Sequence, residues 1–527
     1  MKKVYHLGIW AALLVSPVSL SAQDTYLNER LTTVSDINGT ARFVSMGGAL
    51  GALGADISVM SANPAGIGLY RGSDIAGTIS VLTQKAKPLS GEDYTHLSFD
   101  NLGFVISKHW DGPTLKFLNF GFNYQKKNNF NHVLVADNAN TMGLSQTDQL
   151  AYLSNLYAYE EEDGYYFPSD LASTAYSSYL LETNQGKFYG QPAQGNQFSR
   201  ITEGGVHAFD LNLSFNLSEQ FYLGATLGFE DIDYRSYTTY TELYELDKNF
   251  YDYNMNNQQT VSGTGVNAKF GIIVRPFQYS AFRFGITVET PTFYTMQSAA
   301  YVNMETHYDA DGVYHPDGLY RYDGPAENYL DYSLTTPWKF RFSLGHTLGQ
   351  YFAIGAEYEY VNYAKTKMGY LDYNTWGGAG TDREMNGLTR RTLKGGHNVK
   401  VGWEVKFNPA FSARFGYNYY SEAYNQYASF DQSIDSYALS YNVATDYMNK
   451  GAVNLFTVGL GYQKKKFYVD LAYKYRQQKA DFYAFDDSYM MDLINDPHYT
   501  GDKNAYLAPV GVDLSRHQVA LSVGYKF

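Results

Sequence analysis

Charged residues in this chain recur on one parity of otherwise apolar segments, and that placement limits the chemistry open to them. In "FRFGITVE", Phe282, Phe284, Ile286 and Val288 share one face while Arg283, Gly285, Thr287 and Glu289 share the other. Lys269, Lys339, Arg341, Lys406, Arg414 and Lys474 take the same polar parity in their segments, as do Asp210, Glu230, Glu357, Glu404 and Asp470. Charges facing a partly dry interior pair with one another, so a network of ion pairs is expected, and only an unpaired cation would meet an anionic ligand. A Ser-His hydrolase needs nucleophile and base within hydrogen-bond reach. His207, His397, His517 and His346 share parity with apolar neighbours, His132, His307, His315 and His498 fall between segments, and His109 alone takes the polar parity, so no such pair emerges. The chain is read as no enzyme. Haem capture by His307 and His315 stays open as an alternative. With no cysteine at all, disulfides and thiolate metal sites are excluded, and no metal, nucleotide or other cofactor motif is present.

The segments carrying these residues are strands. Leu211, Leu213, Phe215 and Leu217 alternate with Asp210, Asn212, Ser214 and Asn216, and Val399, Val401, Trp403 and Val405 alternate with Lys400, Gly402, Glu404 and Lys406. A period of two with one apolar and one polar face reads as a wall between lipid and a polar interior. About fourteen such strands follow one another, from Ser73–Gln84 to Ser515–Phe527. An even count suits a closed antiparallel barrel with no unpaired edge in lipid. Connections alternate between tight turns such as "WDGP", "SEQ" and "NPA" and long loops, the longest spanning 127–203. Short turns belong on the periplasmic side and long loops outside. Within that longest loop, "TDQLAYLSNLYAY" and "SDLASTAYSSYLL" have helical spacing. The expected stripes are Leu150, Leu153, Leu156 and Tyr157 in the first and Leu171, Ala175 and Tyr179 in the second, with Ser169 or Asp170 as a cap. They either pack on each other and the rim or form an outer apolar groove. The last strand alternates Val519, Leu521, Val523 and Tyr525 outward and ends on Phe527, an outer-membrane assembly signal.

Composition agrees. Tyr at 52, Phe at 32 and Gly at 48 of 527 residues exceed ordinary soluble usage, and a net charge of -13 argues against nucleic acid. Residues 1–22 read as a secretory signal peptide, with Lys2 and Lys3 before an apolar run and small residues to Ala22. Residues 23–71 then precede the first strand and are expected to fold into the lumen as a plug, leaving 72–527 as the barrel.

One stretch resembles a known family. "ARFVSMGGALGALGADISVMSANPAGIGL", Ala41 to Leu69, resembles the N-terminal hatch of the FadL/TodX outer-membrane transporters for long-chain fatty acids and other hydrophobic compounds, including the Asn63, Pro64, Ala65 and Gly66 turn. "TTPWKFRFSLGH", Thr335 to His346, looks like a strand these transporters carry. The resemblance implies diffusion-driven uptake: capture at the outer loops, gating by the hatch at Asn63 to Gly66, and lateral exit at a kink in the third strand, here Asn119, Gly121 and Asn123. It also points to Lys339 and Arg341 as head-group contacts. The partners so implied are a hydrophobic ligand and outer-membrane lipid, with lipopolysaccharide phosphates near "MNGLTRRTLKGG", around a monomer. A protein-binding or glycan-binding adhesin barrel is the remaining alternative.

Overall fold

Alternating β-branched and aromatic residues favour a pleated, half-buried surface, and in the computed structural model they build a closed fourteen-strand antiparallel barrel. The structure describes residues 24–33, 36–84, 94–161, 164–167, 169–246, 249–324, 328–371, 379–434, 436, 442–490 and 505–527. Residues 1–22, expected from the sequence to be a signal peptide, and Gln23 and His498 lie outside these. In chain order the wall is β1 (Asp74–Gln84), β2 (Tyr94–His109), β3 (Leu115–Asn129, continued by His132–Asn138), β4 (Gly195–Leu217), β5 (Phe221–Leu246), β6 (Asn249–Val274) and β7 (Arg283–Glu289 with Phe293–Thr306). It continues through β8 (Asn328–Thr335 with Lys339–Leu348), β9 (Phe352–Asn362 with Lys367–Leu371), β10 (Gly395–Lys406), β11 (Phe411–Tyr420), β12 (Tyr447–Lys464), β13 (Phe467–Tyr483) and β14 (Val510–Asp513 with Arg516–Lys526). β1 closes on β14 from Asp74↔Lys526 to Thr83↔His517.

Outward parity carries the apolar band. Ile106, Phe270, Phe342 and Leu460 are 55, 56, 51 and 62% exposed, a surface that water would penalise by roughly 25 cal/mol per Å² and a bilayer accepts. The wall outgrows that band. β5 and β6 pair without a break to Leu246↔Asn249, where the sequence suggested a loop after Tyr234. Alternation persists in "YRSYTTYTEL", but the outward positions become mixed, with Arg235, Thr239 and Thr241 beside Tyr237 and Leu243, so the lipid signal weakens while the strand continues.

The outer end is roofed by helices. α3 (Gln146–Tyr157) and α4 (Asp170–Ser177) are capped by the hydroxyls of Ser145 and Ser169, which accept from Thr147 and Ala172 N–H. They pack together through Leu150, Ala151, Leu171 and Ala175. The expected stripe of α3 is only partly buried: Leu156 and Tyr157 face outward, and Ser154 takes the inner face instead. Tyr179 is likewise exposed.

Two helices and two 3-10 turns of the N-terminal segment fill the lumen. These are α1 (Thr25–Thr32), capped by Asp24, α2 (Ala41–Ser45), capped by Thr40, and the turns Ile57–Ser61 and Pro64–Leu69. A further helix in an outer loop, α5 (Arg383–Thr392), lies over α1.

Candidate functional site

The Asn63 turn is a tight meeting of plug and wall. Pro64 fixes its own φ and keeps Asn63 extended, at φ -142 and ψ 105. The Asn63 side-chain oxygen accepts from Ala65 N–H at 3.1 Å, starting the short helix. Ser214 and Asn212 of β4 donate to the Pro64 carbonyl at 2.8 and 3.3 Å. Where the turn touches β5 and β6, the wall has no side chain. A Cβ on Gly224 would lie 2.4 Å from the Pro64 carbonyl carbon, and one on Gly271 would lie 2.0 Å from Asn63 Oδ1. The pattern repeats around the barrel: Gly355, Gly402 and Gly459 face Ala49, Met46 and Ser45 of the plug with equal closeness. Glycine here is a matter of space, since backbone must pass backbone.

The third strand is unbroken at the position expected to kink. β2 pairs with β3 continuously from Asn101↔Gln125 to His109↔Phe117, and Gly121 pairs with Asn212 of β4. Gly121 instead makes room for Met60, whose Cε would lie 2.2 Å from an added Cβ. Asn119 donates to the carbonyls of Ile67 and Tyr70 at 2.8 and 3.3 Å, and Asn123 accepts from Asn101 at 2.5 Å. All three positions hold the plug or the neighbouring strand. The opening in the hydrogen-bond ladder lies further out. From Tyr94 to Phe99, β2 pairs with β1 alone, and from Lys126 outward β3 pairs with β4 alone. Bulges at Asp100 and Lys127 start the separation, as an extra residue turns a strand away from its neighbour. Ser98 and Asn129 face each other across it at 3.5 Å.

Lys339 and Arg341 are already neutralised. Lys339 bonds Glu289 at 3.1 Å, and Arg341 bonds Glu289 at 2.8 Å and also Glu359. Both cations are therefore ion-paired, and of the Arg341 guanidinium only Nη1 is left without a hydrogen-bond partner. The same pairing holds Lys269 to Asp210 at 2.7 Å, Lys400 to Glu357 at 2.7 Å, and Arg414 to Glu404 and Asp470 at 2.5 Å each. Arg283 donates to the Leu53 carbonyl at 3.1 Å, whereas Lys406 is exposed near the turn end.

A cationic surplus appears higher in the lumen. A cavity of about 130 Å³ above the plug is lined by Arg30, Arg200, Lys450, Arg476 and Arg516 against Glu29 and Asp36, with Phe130, Leu134, Met448 and Leu514 as apolar wall. Arg200 is spent on Asp446, at 2.8 Å for one of its two contacts. Lys450 meets Glu29 at 2.6 Å, and Lys474 and Arg516 both meet Asp36 at 2.5 Å. Burial alone would raise the Asp36 pKa, but Lys474, Arg516 and Arg476 outweigh it and hold the carboxyl well below the usual range. Asn128 to Leu134 of the unpaired β3 edge form one side of this cavity, so it abuts the ladder opening. Sequence reasoning missed Glu29, Arg30, Asp36, Arg476 and Arg516. Parity with Gln518 and Ser522 could have found Arg516, but Glu29 to Asp36 precede any strand pattern.

The outward histidines pair with tyrosines and the loop histidines with carboxylates. His207, His397 and His517 face outward, each accepting or sharing a hydrogen bond with Tyr124, Tyr358 or Tyr473 at 2.7 to 2.8 Å. His307 spans Asp252 and the His315 carbonyl, while His315 meets Asp309 at 2.7 Å. These contacts engage both ring nitrogens of His307 and Nε2 of His315. His109 has inward parity but is exposed beside Asp111 at the turn end. Among the described residues no group of three or more His, Cys, Asp or Glu side chains is placed to hold a metal ion.

No family model and no curated protein matches the chain. It is similar to solved structures along most of its length. The Ralstonia pickettii toluene transporter TbuX is 12% identical with a TM-score of 0.47, over 94% of this chain and 100% of that one. The P. putida toluene transporter TodX is 11% identical at 0.47, over 94% and 99%. A Pseudomonas aeruginosa FadL homologue is 11% identical at 0.49, over 93% and 99%.

Proposed function

We propose that this chain carries hydrophobic small molecules, long-chain fatty acids among them, inward across a bacterial outer membrane by diffusion. The long-loop end faces outside and the short turns face the periplasm. The observation that carries this reading is the upper cavity: cations and apolar side chains share one small chamber that opens beside a break in the wall. An apolar molecule entering there has two barriers, the plug below and the lipid at its side. The sideways path is short, since only side-chain contacts such as Asn129 to Ser98 bridge β2 and β3 above Asn101. The plug packs within Cβ-excluding distance of the wall at β5, β6, β9, β10 and β12, so lateral exit costs less than extracting it. Arg390 and Arg391 in the last turn of α5 suit lipopolysaccharide phosphates.

The test uses the absence of native cysteine. Ser98→Cys with Asn129→Cys, bridged by a short bis-thiol reagent, should abolish uptake of labelled dodecanoate by cells while unbridged cells take it up. No uptake by the unmodified protein would sink the transport reading, and undiminished uptake after bridging would sink the lateral exit. One feature favours an adhesin instead: an outer cleft of about 610 Å³ lined by Tyr176, Tyr179, Tyr308, Glu182 and Gln191, a mixture of aromatic faces and polar edges suited to a glycan.

A further inference from the structure

The free volume of the upper cavity does not match the ligands proposed for it. About 130 Å³ approaches the roughly 150 Å³ that holds a benzene ring, whereas sites for larger ligands run to roughly 300–1,000 Å³. The space for a longer molecule exists, but α1 fills it. In the outer half of the lumen the inward residues turn apolar, with Ile232, Tyr234, Val261, Tyr294, Met296 and Tyr332 forming one continuous cluster. Into that cluster α1 inserts Tyr26, Leu27 and Leu31, which are 4, 4 and 0% exposed. Tyr26 stacks on Tyr424 at 5.3 Å.

The polar side of the same segment is equally specific. Glu29 lies on Lys450 and accepts from the Tyr424 hydroxyl at 2.8 Å, and Asp36 lies between Lys474 and Arg516. Without these two carboxylates, the buried Lys474 and Arg516 and the partly buried Lys450 would lose their ion-pair partners. An uncompensated buried charge is strongly destabilising, so whatever replaces the segment has to be anionic as well as apolar. Hydrocarbon body and carboxylate are both already present, supplied by the chain itself.

We infer that residues 24–33, together with Asp36, are a resident occupant of the ligand chamber, and that an amphipathic carboxylate binds by displacing α1 and taking over the cations held by Asp36. This rests on the transport reading above and adds that the protein is closed by its own N-terminal segment. Binding is then a competition, in which affinity falls by the fraction of molecules whose chamber is free.

Two variants of the full chain test it, with dodecanoate binding to the purified protein measured by calorimetry. Thr25 and Thr389 hydroxyls lie 2.8 Å apart, joining α1 to α5, so Thr25→Cys with Thr389→Cys places a disulfide that pins the helix. The oxidised protein should bind dodecanoate at least tenfold more weakly than the reduced protein, which serves as the folding control. Asp36→Asn, which loosens the segment and frees Lys474 and Arg516, should bind three- to tenfold more tightly than the unaltered chain. Equal binding by the oxidised and reduced forms, or unchanged or weaker binding by Asp36→Asn, would overturn the exchange while leaving transport intact. Failure of the unaltered protein to bind dodecanoate at all would overturn both.

Discussion

Gly271 shows how little room the Asn63 turn has. Its missing side chain admits Asn63 Oδ1 at a distance where any Cβ would clash with it, and the Pro64 carbonyl is held by two β4 donors. A turn so enclosed reads as an anchor for the plug, while the exchangeable part is the segment before α2, held by side-chain ion pairs. Gly271→Ala should therefore loosen the plug without opening the barrel. Overpacking of this kind costs about 1–3 kcal/mol, and it should appear as faster hydrogen exchange at Ala65 to Leu69 with the β5 and β6 ladders unchanged. Unaltered exchange there would mean that the wall, and not the turn, gives way.

Among the elements, the roof formed by α3 and its neighbours carries a pH dependence of its own. Burial, with the nearby Glu242 charge adding to it, pushes the Asp148 carboxyl of α3 up to about 7. Burial likewise pushes Asp486, in the loop after β13, up to about 7. Because the folded roof holds protons that the unfolded chain releases near 4, its stability is complete below that pH and falls as pH rises toward 7. Limited proteolysis at the roof should be slow at pH 5 and faster at pH 8, and Asp486→Asn should flatten the difference. The opposite trend would show that these carboxyls are charged in the fold. Neither group was legible from sequence, since burial of a loop carboxylate depends on which other loop covers it. The helices were legible in outline: Ser169 caps α4 as its position suggested, but the stripe on α3 was misplaced because its covering surface comes from distant strands.

For the molecule as a whole, the plug is bonded across the lumen to both halves of the wall. It joins β4 through Pro64, β13 and β14 through Asp36, and β10 through Arg42 and Glu404 at 3.3 Å. The barrel closes by its own register between β1 and β14, so it does not need the plug to complete a sheet. Deleting residues 24–71 should leave a folded, heat-modifiable barrel whose conductance in planar bilayers rises from a closed baseline to a steady open level. A silent deletion variant would show that the roof closes the lumen by itself.

The sequence alone determined the wall. Strand number, facing and direction follow from a period of two set by the pleat and from the demand that lipid-facing residues be apolar, and both are local properties. Local turn chemistry likewise marked Asn63 to Gly66 as a junction. What only the tertiary structure decided is which cations are paired, where the ladder opens and what fills the upper chamber. Lys339 and Arg341 looked available because parity gives a side chain's direction but not its partner, and Glu289 and Glu359 neutralise them only once β7, β8 and β9 lie side by side. The kink expected at Gly121 became a seat for Met60, and the separation of β2 from β3 arose from two bulges that no residue type announces. Asp36 and Arg516 are 480 positions apart in the chain, and their meeting exists only because the barrel closes around its own beginning.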